Sequence, residues 1–357
     1  MSQIKLAIAG VGSCASSLVQ SVAMARRGTQ SPGIMFDEIG GYGVQDIDVV
    51  ACFDVDKAKV GIDLANAIKI PLTSAKHHAQ VDHTGVTVEP GPLLDGIGGE
   101  LVNVVVTHAD ADTAAPHHVT ERLRQCGADV LVCLLPTGAT QAVRAYARAA
   151  AAAGVSFVNA TPEPVAVDHG IAELFRGQGA ALLGDDLRSH VGATTLHTAV
   201  IELLRSRGLD VINTYQLNVG GNTDFMNLSD REHAANKWRS KRNALAAAGI
   251  DASDVAAGPS GYVKFLGDTK DCIIRIEAAS VLGSPLTLDI RLQVEDSPNA
   301  AGVLLSAVRL AKVAGDRGQC GVIEDVCPTL FKNPPTGASE SRGLELLRRY
   351  VAESAQI

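Results

Sequence analysis

Aromatic side chains are scarce, 4% of the 357 residues with a single tryptophan, so the core cannot rest on stacked rings and must be closed by small aliphatic side chains. No apolar run reaches the roughly 18 residues that span a bilayer. The chain opens MSQIKLAIAG and enters strand-like sequence without a secretory leader, so a cytoplasmic location with no membrane partner is expected. The seven cysteines, Cys14, Cys52, Cys126, Cys133, Cys272, Cys320 and Cys327, are odd in number and scattered. None forms a C-x-x-C pair, which argues against a disulfide framework or a zinc site and predicts mostly buried small hydrophobes. Excess positive charge is also missing. A formal net charge of −8 leaves no basic groove for nucleic acid, so any phosphate must be gripped locally. The ten histidines show no metal spacing, and no G-x-S-x-G, H-E-x-x-H or Walker pattern occurs.

What is present is apolar mass, 46% hydrophobic residues with 35 glycines, enough for about two domains. Lys5 to Ala9 is a short apolar run, Gly10 to Ala15 a tight turn, and Ser16 to Ala25 has helical spacing. A second run, Ile47 to Phe53, ends at Asp54, and Lys57 to Ile68 predicts the next helix, completing a β-α-β unit. Arg27 to Gly43 and Lys69 to Gly98 read as long loops. Alternation resumes with Val130 to Leu135, a helix over Thr140 to Ala152, Val155 to Val158 and Ala180 to Leu183. Repeated crossovers of this kind imply an α/β fold with a doubly wound parallel sheet. Beyond about residue 210, the runs Val211 to Val219, Gly261 to Leu266, Cys272 to Ala279 and Leu286 to Val294 predict an antiparallel sheet. Ala300 to Val313 and Gly343 to Ala352 return to amphipathic helix and are placed back against the first domain, which makes the second an insertion.

Gly10-x-Gly12-x-x-Ala15, with Ser13 and Cys14 inside it, lies between strand and helix and matches the dinucleotide fingerprint. The glycines permit the turn and close backbone approach, and the helix N-terminus faces pyrophosphate. Asp54 closes the second strand, where a carboxylate can accept from both ribose hydroxyls and repel the extra phosphate of NADP, so NAD is expected. It follows Gly12 by 42 residues, and the loop 27–43 accounts for the excess over the usual spacing. Pro136-Thr137-Gly138 and Thr161-Pro162 sit at the carboxyl ends of later strands and are expected cofactor wall. Gly184 to Thr194 joins a strand end to a helix start near Gly192. There Ser189 and Thr194 with helix amides could hold a phosphate monoester. The adjacent Asp185 and Asp186 point different ways, so one orients a lysine or caps the helix.

Lysine is absent from His77 to Asn236, where arginine carries the positive charge. Where lysine persists, a compact or deprotonatable amine can be the reason. Lys237 and Lys241 share one helix face, and like charges at that spacing suggest a bound phosphate or a base of lowered pKa, unless the face is simply solvated. Lys270 lies between strands and Lys332 in a turn before two prolines.

Taken together, Ala9 to Leu18, Phe53-Asp54-Val55-Asp56, Leu94 to Gly98, Gly184-Asp185-Asp186, Gln216 to Asn222 and Asp296-Ser297-Pro298-Asn299 make the chain resemble the inositol-phosphate synthase family, especially its shorter bacterial form. The resemblance implies a homotetramer. It also implies an NAD-binding Rossmann domain at 1–200, an inserted α+β catalytic and dimerisation domain at 201–298, and helices at 299–357 returning to the first. The implied reaction is redox-neutral. C5 of glucose 6-phosphate is oxidised, the C6 enolate attacks the C1 aldehyde, and C5 is reduced again to give 1L-myo-inositol 1-phosphate. By motif matching, Lys237 would be the acid/base at the C5 oxygen, Lys241 and Lys270 would bind phosphate and stabilise charge, and Lys332 would serve the C1 carbonyl. Asp186, Asp224 and Asp296 would orient these amines, Asp185 would face the cofactor, and Ser189, Thr194 and Asn222 would hold substrate. Arg188, His190, Arg242 and Asp271 depart from the family's usual residues. They keep open an alternative, a paralogue closing a five-membered cyclitol phosphate from fructose 6-phosphate.

Overall fold

In the computed structural model, which describes residues 3–29, 32–70, 72–229, 231–247 and 255–354, the first apolar run is strand Ile4–Ala9 (β1) and the turn after it leads into helix Ser13–Arg26 (α1). Leu6, Ala7, Ile8 and Ala9 are all fully buried, as expected for a strand covered on both faces, which reads as an unbroken apolar run. Strand Ile47–Asp54 (β2) pairs parallel to β1.

The helix expected over Lys57–Ile68 needs correction. Turns occupy its first half, Gly61 sits at φ 88, and only Leu64–Ala67 (α2) is helical, capped by the Asp63 carboxylate accepting the Ala65 amide. Asp63 also accepts from the Thr84 hydroxyl and the Gly85 amide, so it serves as a loop clasp, which helical periodicity does not reveal.

The chain continues through Val88–Pro90 (β3), Ala109–Thr113 (α3), Pro116–Cys126 (α4), Val130–Cys133 (β4), Thr140–Ala153 (α5), Ser156–Asn159 (β5), His169–Gly177 (α6) and Ala181–Leu183 (β6). Ala193–Ser206 (α7), Asp210–Gly220 (β7), Thr223–Asn227 (α8), Arg231–Ala247 (α9), Ala257–Tyr262 (β8), Thr269–Ala279 (β9) and Pro285–Glu295 (β10) follow. Asp296–Asp316 (α10), Gly321–Val322 (β11), Cys327–Leu330 (α11) and Glu340–Ser354 (α12) complete it.

One sheet has the order β11-β6-β5-β4-β1-β2-β3, and every recorded pairing in it is parallel. The order reverses between β1 and β4, which opens a crevice at the carboxyl ends of those strands. Helix α10 packs across β1, β4, β5 and β6, so the chain does return to the first sheet after the second, as the amphipathic pattern predicts. The second sheet has the order β10-β9-β7-β8 and is mixed. β7, β9 and β10 are antiparallel, while β8 runs parallel to β7. The expected antiparallel strand at Gly261–Leu266 is therefore displaced to Ala257–Tyr262, with a single tight turn over Lys264–Leu266. The crossover through α8 and α9 is long enough to enter the sheet in parallel.

Candidate active site

The carboxyl ends of β1, β2, β4 and β5 face the second sheet across a cavity of about 270 Å³. At its floor, Gly10 has φ 93, and a Cβ there would meet the Leu134 carbonyl at 2.8 Å, so both backbone geometry and space exclude other residues. Gly12 caps α1 without a side-chain hydrogen bond, and a Cβ on it would find nothing within 4 Å. The first amides of the helix, which have no intrahelical partner, are thus left for an anion. Asp54 closes β2 and lines the same cavity. Its carboxylate accepts from the Val11 amide at 2.8 Å, the Val55 amide at 2.8 Å, the Asp56 amide at 2.9 Å and Lys59 Nζ at 3.3 Å. An uncapped helix start beside open space, with a carboxylate one strand away, fits a dinucleotide. Pro136, Thr137 and Thr161 line the wall as expected, with Ser13 and Cys14 at the turn. Burial, then Asp296, Asp268 and Asp224, push the Cys14 thiol up to about 12, so it stays protonated.

Four lysines from three separate stretches of chain converge on the far side: Lys237, Lys241, Lys270 and Lys332 all line the cavity, as do Asp224, Asp296, Ser189, Thr194 and Asn222. Lys332 Nζ donates to Asp186 Oδ1 at 2.7 Å and to the Leu187 carbonyl at 2.8 Å. Lys237 Nζ lies 3.4 Å from the same Asp186 oxygen and 3.8 Å from Asp224. Lys270 Nζ donates to Asp296 at 3.1 Å, and the Asn222 amide reaches that carboxylate at 3.4 Å. Thr137 Oγ1 donates to Asp224 at 3.0 Å, which ties the cofactor wall to the lysine cluster.

These contacts separate the proton affinities. Burial would raise the Asp186 pKa, but Lys237 and Lys332 outweigh it and hold the carboxyl well below the usual range. Burial opposes the charge on Lys237, yet Asp186, Asp224 and Asp296 raise its pKa above the ordinary lysine value. Lys332 is pushed down to about 8, by burial first and by Lys237 and Lys270 against the pull of Asp186. Lys241 is only 5% exposed and makes no hydrogen bond or ion pair among the described residues. Burial, then Lys270, Lys332 and Lys237, hold its pKa well below normal. It lies on the cavity wall near the start of α7, where Gly192 is the cap and no side chain caps the helix.

Four predicted residues do not reach the cavity. Ala15 is buried in α1 packing, and the Gly138 amide donates to Glu163. Asp185 is fully buried, its oxygens taken by the Asn159 amide and by the backbone amides of Val165, Ala166 and Val167. This corrects its expected place beside the cofactor: it is a structural clasp. Asp186 stands behind the cavity wall, in contact with Lys237 and Lys332. The four departures from the family pattern also lie off the cavity wall. Arg188 is buried and bonded to the Phe331 carbonyl and Glu340. His190 packs against Gly33 and Gly302, Arg242 sits over the Trp238 ring, and Asp271 pairs with Arg291 on the sheet surface.

Sequence reading missed three contributors. Lys59 neutralises Asp54 from five residues away. Asn227, 1% exposed, donates to the Thr137 carbonyl at 2.6 Å. Ser240 donates to Asp186 Oδ2 at 2.5 Å. Only Ser240 carried a signal, standing three residues after one site lysine and directly before another.

Fold and site together define a Rossmann-type enzyme with a lysine-lined cavity across from its glycine turn. A family model described as myo-inositol-1-phosphate synthase matches residues 192–297. The inositol-3-phosphate synthase of Corynebacterium glutamicum is 41% identical over 99% of this chain and 99% of its own. That of Mycolicibacterium smegmatis is 42% identical over 98% of each. A crystal structure titled Ari2 superposes with a TM-score of 0.79 at 36% identity, covering 99% of both chains. The chain belongs to the inositol-phosphate synthase family, whose enzymes are isomerase-type cyclases.

Proposed function

We propose that this chain converts D-glucose 6-phosphate to 1L-myo-inositol 1-phosphate by an NAD-dependent, redox-neutral intramolecular aldol cyclisation. The carrying observation is the convergence of four lysines and three carboxylates opposite a glycine turn suited to a dinucleotide, with one lysine, Lys241, holding no hydrogen-bond or ion-pair partner among the described residues. A buried, unpaired amine needs an anion or must lose its proton. A sugar phosphate supplies the anion.

Gly10, Gly12, Ser13 and Asp54 would hold NAD, with Pro136, Thr137 and Thr161 along its wall. When bound, it would take a hydride from C5 and return it after ring closure. Lys241, with Ser189, Thr194 and the start of α7, would bind the phosphate, and its proton affinity would rise as the dianion enters. Lys237, in contact with Asp186 and Asp224, would relay the C5 hydroxyl proton to a carboxylate as hydride leaves C5 and return it when C5 is reduced. Lys270, steered by Asp296 and Asn222, would stabilise the enolate left when a C6 proton passes to the substrate's own phosphate. Lys332, with its pKa near neutrality, is suited to give a proton to the C1 oxygen as the C1–C6 bond forms.

The residues that depart from the family pattern stand off the cavity wall, which favours glucose 6-phosphate over the ketose alternative. The outer face of the second sheet, where Ile212, Leu217 and Ile273 stand exposed, supports a homotetramer, and gel filtration checks it. No helix among the described residues is long and apolar enough to cross a membrane, and cytoplasmic action on a soluble substrate is the reading adopted.

The test is incubation of purified protein with NAD+ and each hexose 6-phosphate, with NMR identification of products. Inositol phosphate from glucose 6-phosphate, without net NADH, is expected. Turnover of fructose 6-phosphate alone would replace this reading with the five-membered one.

A further inference from the structure

Asp186 carries two lysines on one oxygen. Lys332 at 2.7 Å and Lys237 at 3.4 Å both address Oδ1, although a free carboxylate would offer each amine its own oxygen. Oδ2 is occupied instead by the Ser240 hydroxyl at 2.5 Å. Ser240 is 1% exposed and lies off the cavity wall, so it touches neither substrate nor cofactor. A serine inside a helix ordinarily returns its hydroxyl to a carbonyl one turn back or points it to water. Here it leaves α9 for the Asp186 carboxylate behind the lysines, from a position between the two lysines of that helix.

We propose that Ser240 is a positioning residue, which turns Asp186 so that a single carboxylate oxygen serves both Lys237 and Lys332. The inference rests on the cyclase reading and adds to it a determinant of how the two amines share one counter-charge. Asp186 is fully buried, so loss of the hydroxyl leaves Oδ2 without its donor, and the carboxylate turns toward the lysines or concentrates charge on them. Lys332, held at about 8 by burial against the pull of Asp186, then keeps its proton to higher pH. Distortion of the helix would not produce that signature.

The experiment compares wild type with Ser240→Ala and Ser240→Thr. A charge-assisted hydrogen bond of this kind supports a fall in kcat of roughly tenfold for Ser240→Ala, with KM for glucose 6-phosphate within about twofold. The Lys332-controlled limb of the pH–rate profile moves to higher pH, and Ser240→Thr restores both. A readout without turnover keeps this separate from the cyclase reading: the pH dependence of Lys332 acetylation by acetic anhydride, followed by mass spectrometry with circular dichroism as the folding control. A midpoint shifted upward in folded Ser240→Ala supports the proposal even if no hexose phosphate is cyclised. An unshifted midpoint in a folded variant, or a kcat loss that Ser240→Thr does not recover, overturns it.

Discussion

The two walls of the cavity are built by different means. On the side we assign to the cofactor, the wall is made by backbone: a glycine turn, an uncapped helix start and one carboxylate held by three amides and Lys59. On the sugar side it is made by long, flexible side chains drawn from α9, β9 and the loop after α11, and ordered by the buried Asp186 and the half-buried Asp296. A backbone site is rigid and written in adjacent residues. A side-chain site can be tuned in proton affinity, and needs a second layer of carboxylates to keep its charges apart.

Breaking the sugar wall should leave the cofactor wall standing. Lys237→Ala is expected to lower kcat by about 10³-fold, the scale of a lost proton-transfer group. NAD affinity by calorimetry stays within about twofold of wild type, since none of the backbone contacts changes. Breaking the cofactor wall gives the converse. At Gly10→Ala the new Cβ meets a carbonyl oxygen at 2.8 Å in a left-handed backbone, a strain of about 1–3 kcal/mol. NAD binding should weaken by roughly 10- to 100-fold, with a lower Tm and an unchanged pH profile for what activity remains.

Lys241→Met separates stability from function. The folded-state pKa of Lys241 lies below its unfolded value, so between the two the unfolded chain binds more protons and wild-type stability rises with pH through that window. At neutral pH the methionine variant should melt higher than ligand-free wild type. Inorganic phosphate should raise the wild-type Tm and leave the variant nearly unmoved, and KM for the sugar phosphate should rise by roughly tenfold or more. A variant that melts lower and still responds to phosphate would place the anion elsewhere.

The smallest functional effect is expected at Asp185→Asn. The carboxyl is raised to about 6 by burial against the amides that hold it, so its charge costs stability increasingly as pH rises from about 4 to 6. The variant inserts donors where only acceptors serve. It should lower Tm by a few degrees at about 2–4 °C per kcal/mol while NAD affinity and KM hold, confirming a clasp and not a cofactor contact.

The same contrast explains what could be read from the chain. The backbone wall is local: the turn at Gly10 to Cys14 and the strand-end Asp54 each follow from turn chemistry and periodicity alone, as does the helix start at Gly192 on the other wall. The lysines were visible as a group because they return after a long stretch without any, but their pairing was not. Which oxygen of Asp186 faces Lys332 depends on a backbone at φ 62, and no spacing rule gives the side-chain direction there. The same limit put Asp185 beside the cofactor, where the structure has it buried among backbone amides, while Asp186 falls where expected, on Lys237 and Lys332. The failed helix at 57–68 and the parallel β8 both depend on distant parts of the chain, Asp63 on the 84–85 loop and β8 on its crossover and its pairing with β7, which local pattern cannot contain.

The most direct test of the central claim uses glucose 6-phosphate deuterated at C5 with NAD+ far below the substrate concentration. The account predicts inositol phosphate that keeps deuterium at one ring carbon over many turnovers, because the hydride removed from C5 returns to the same position. Deuterium lost from the product, or accumulated in free NADH, would contradict it.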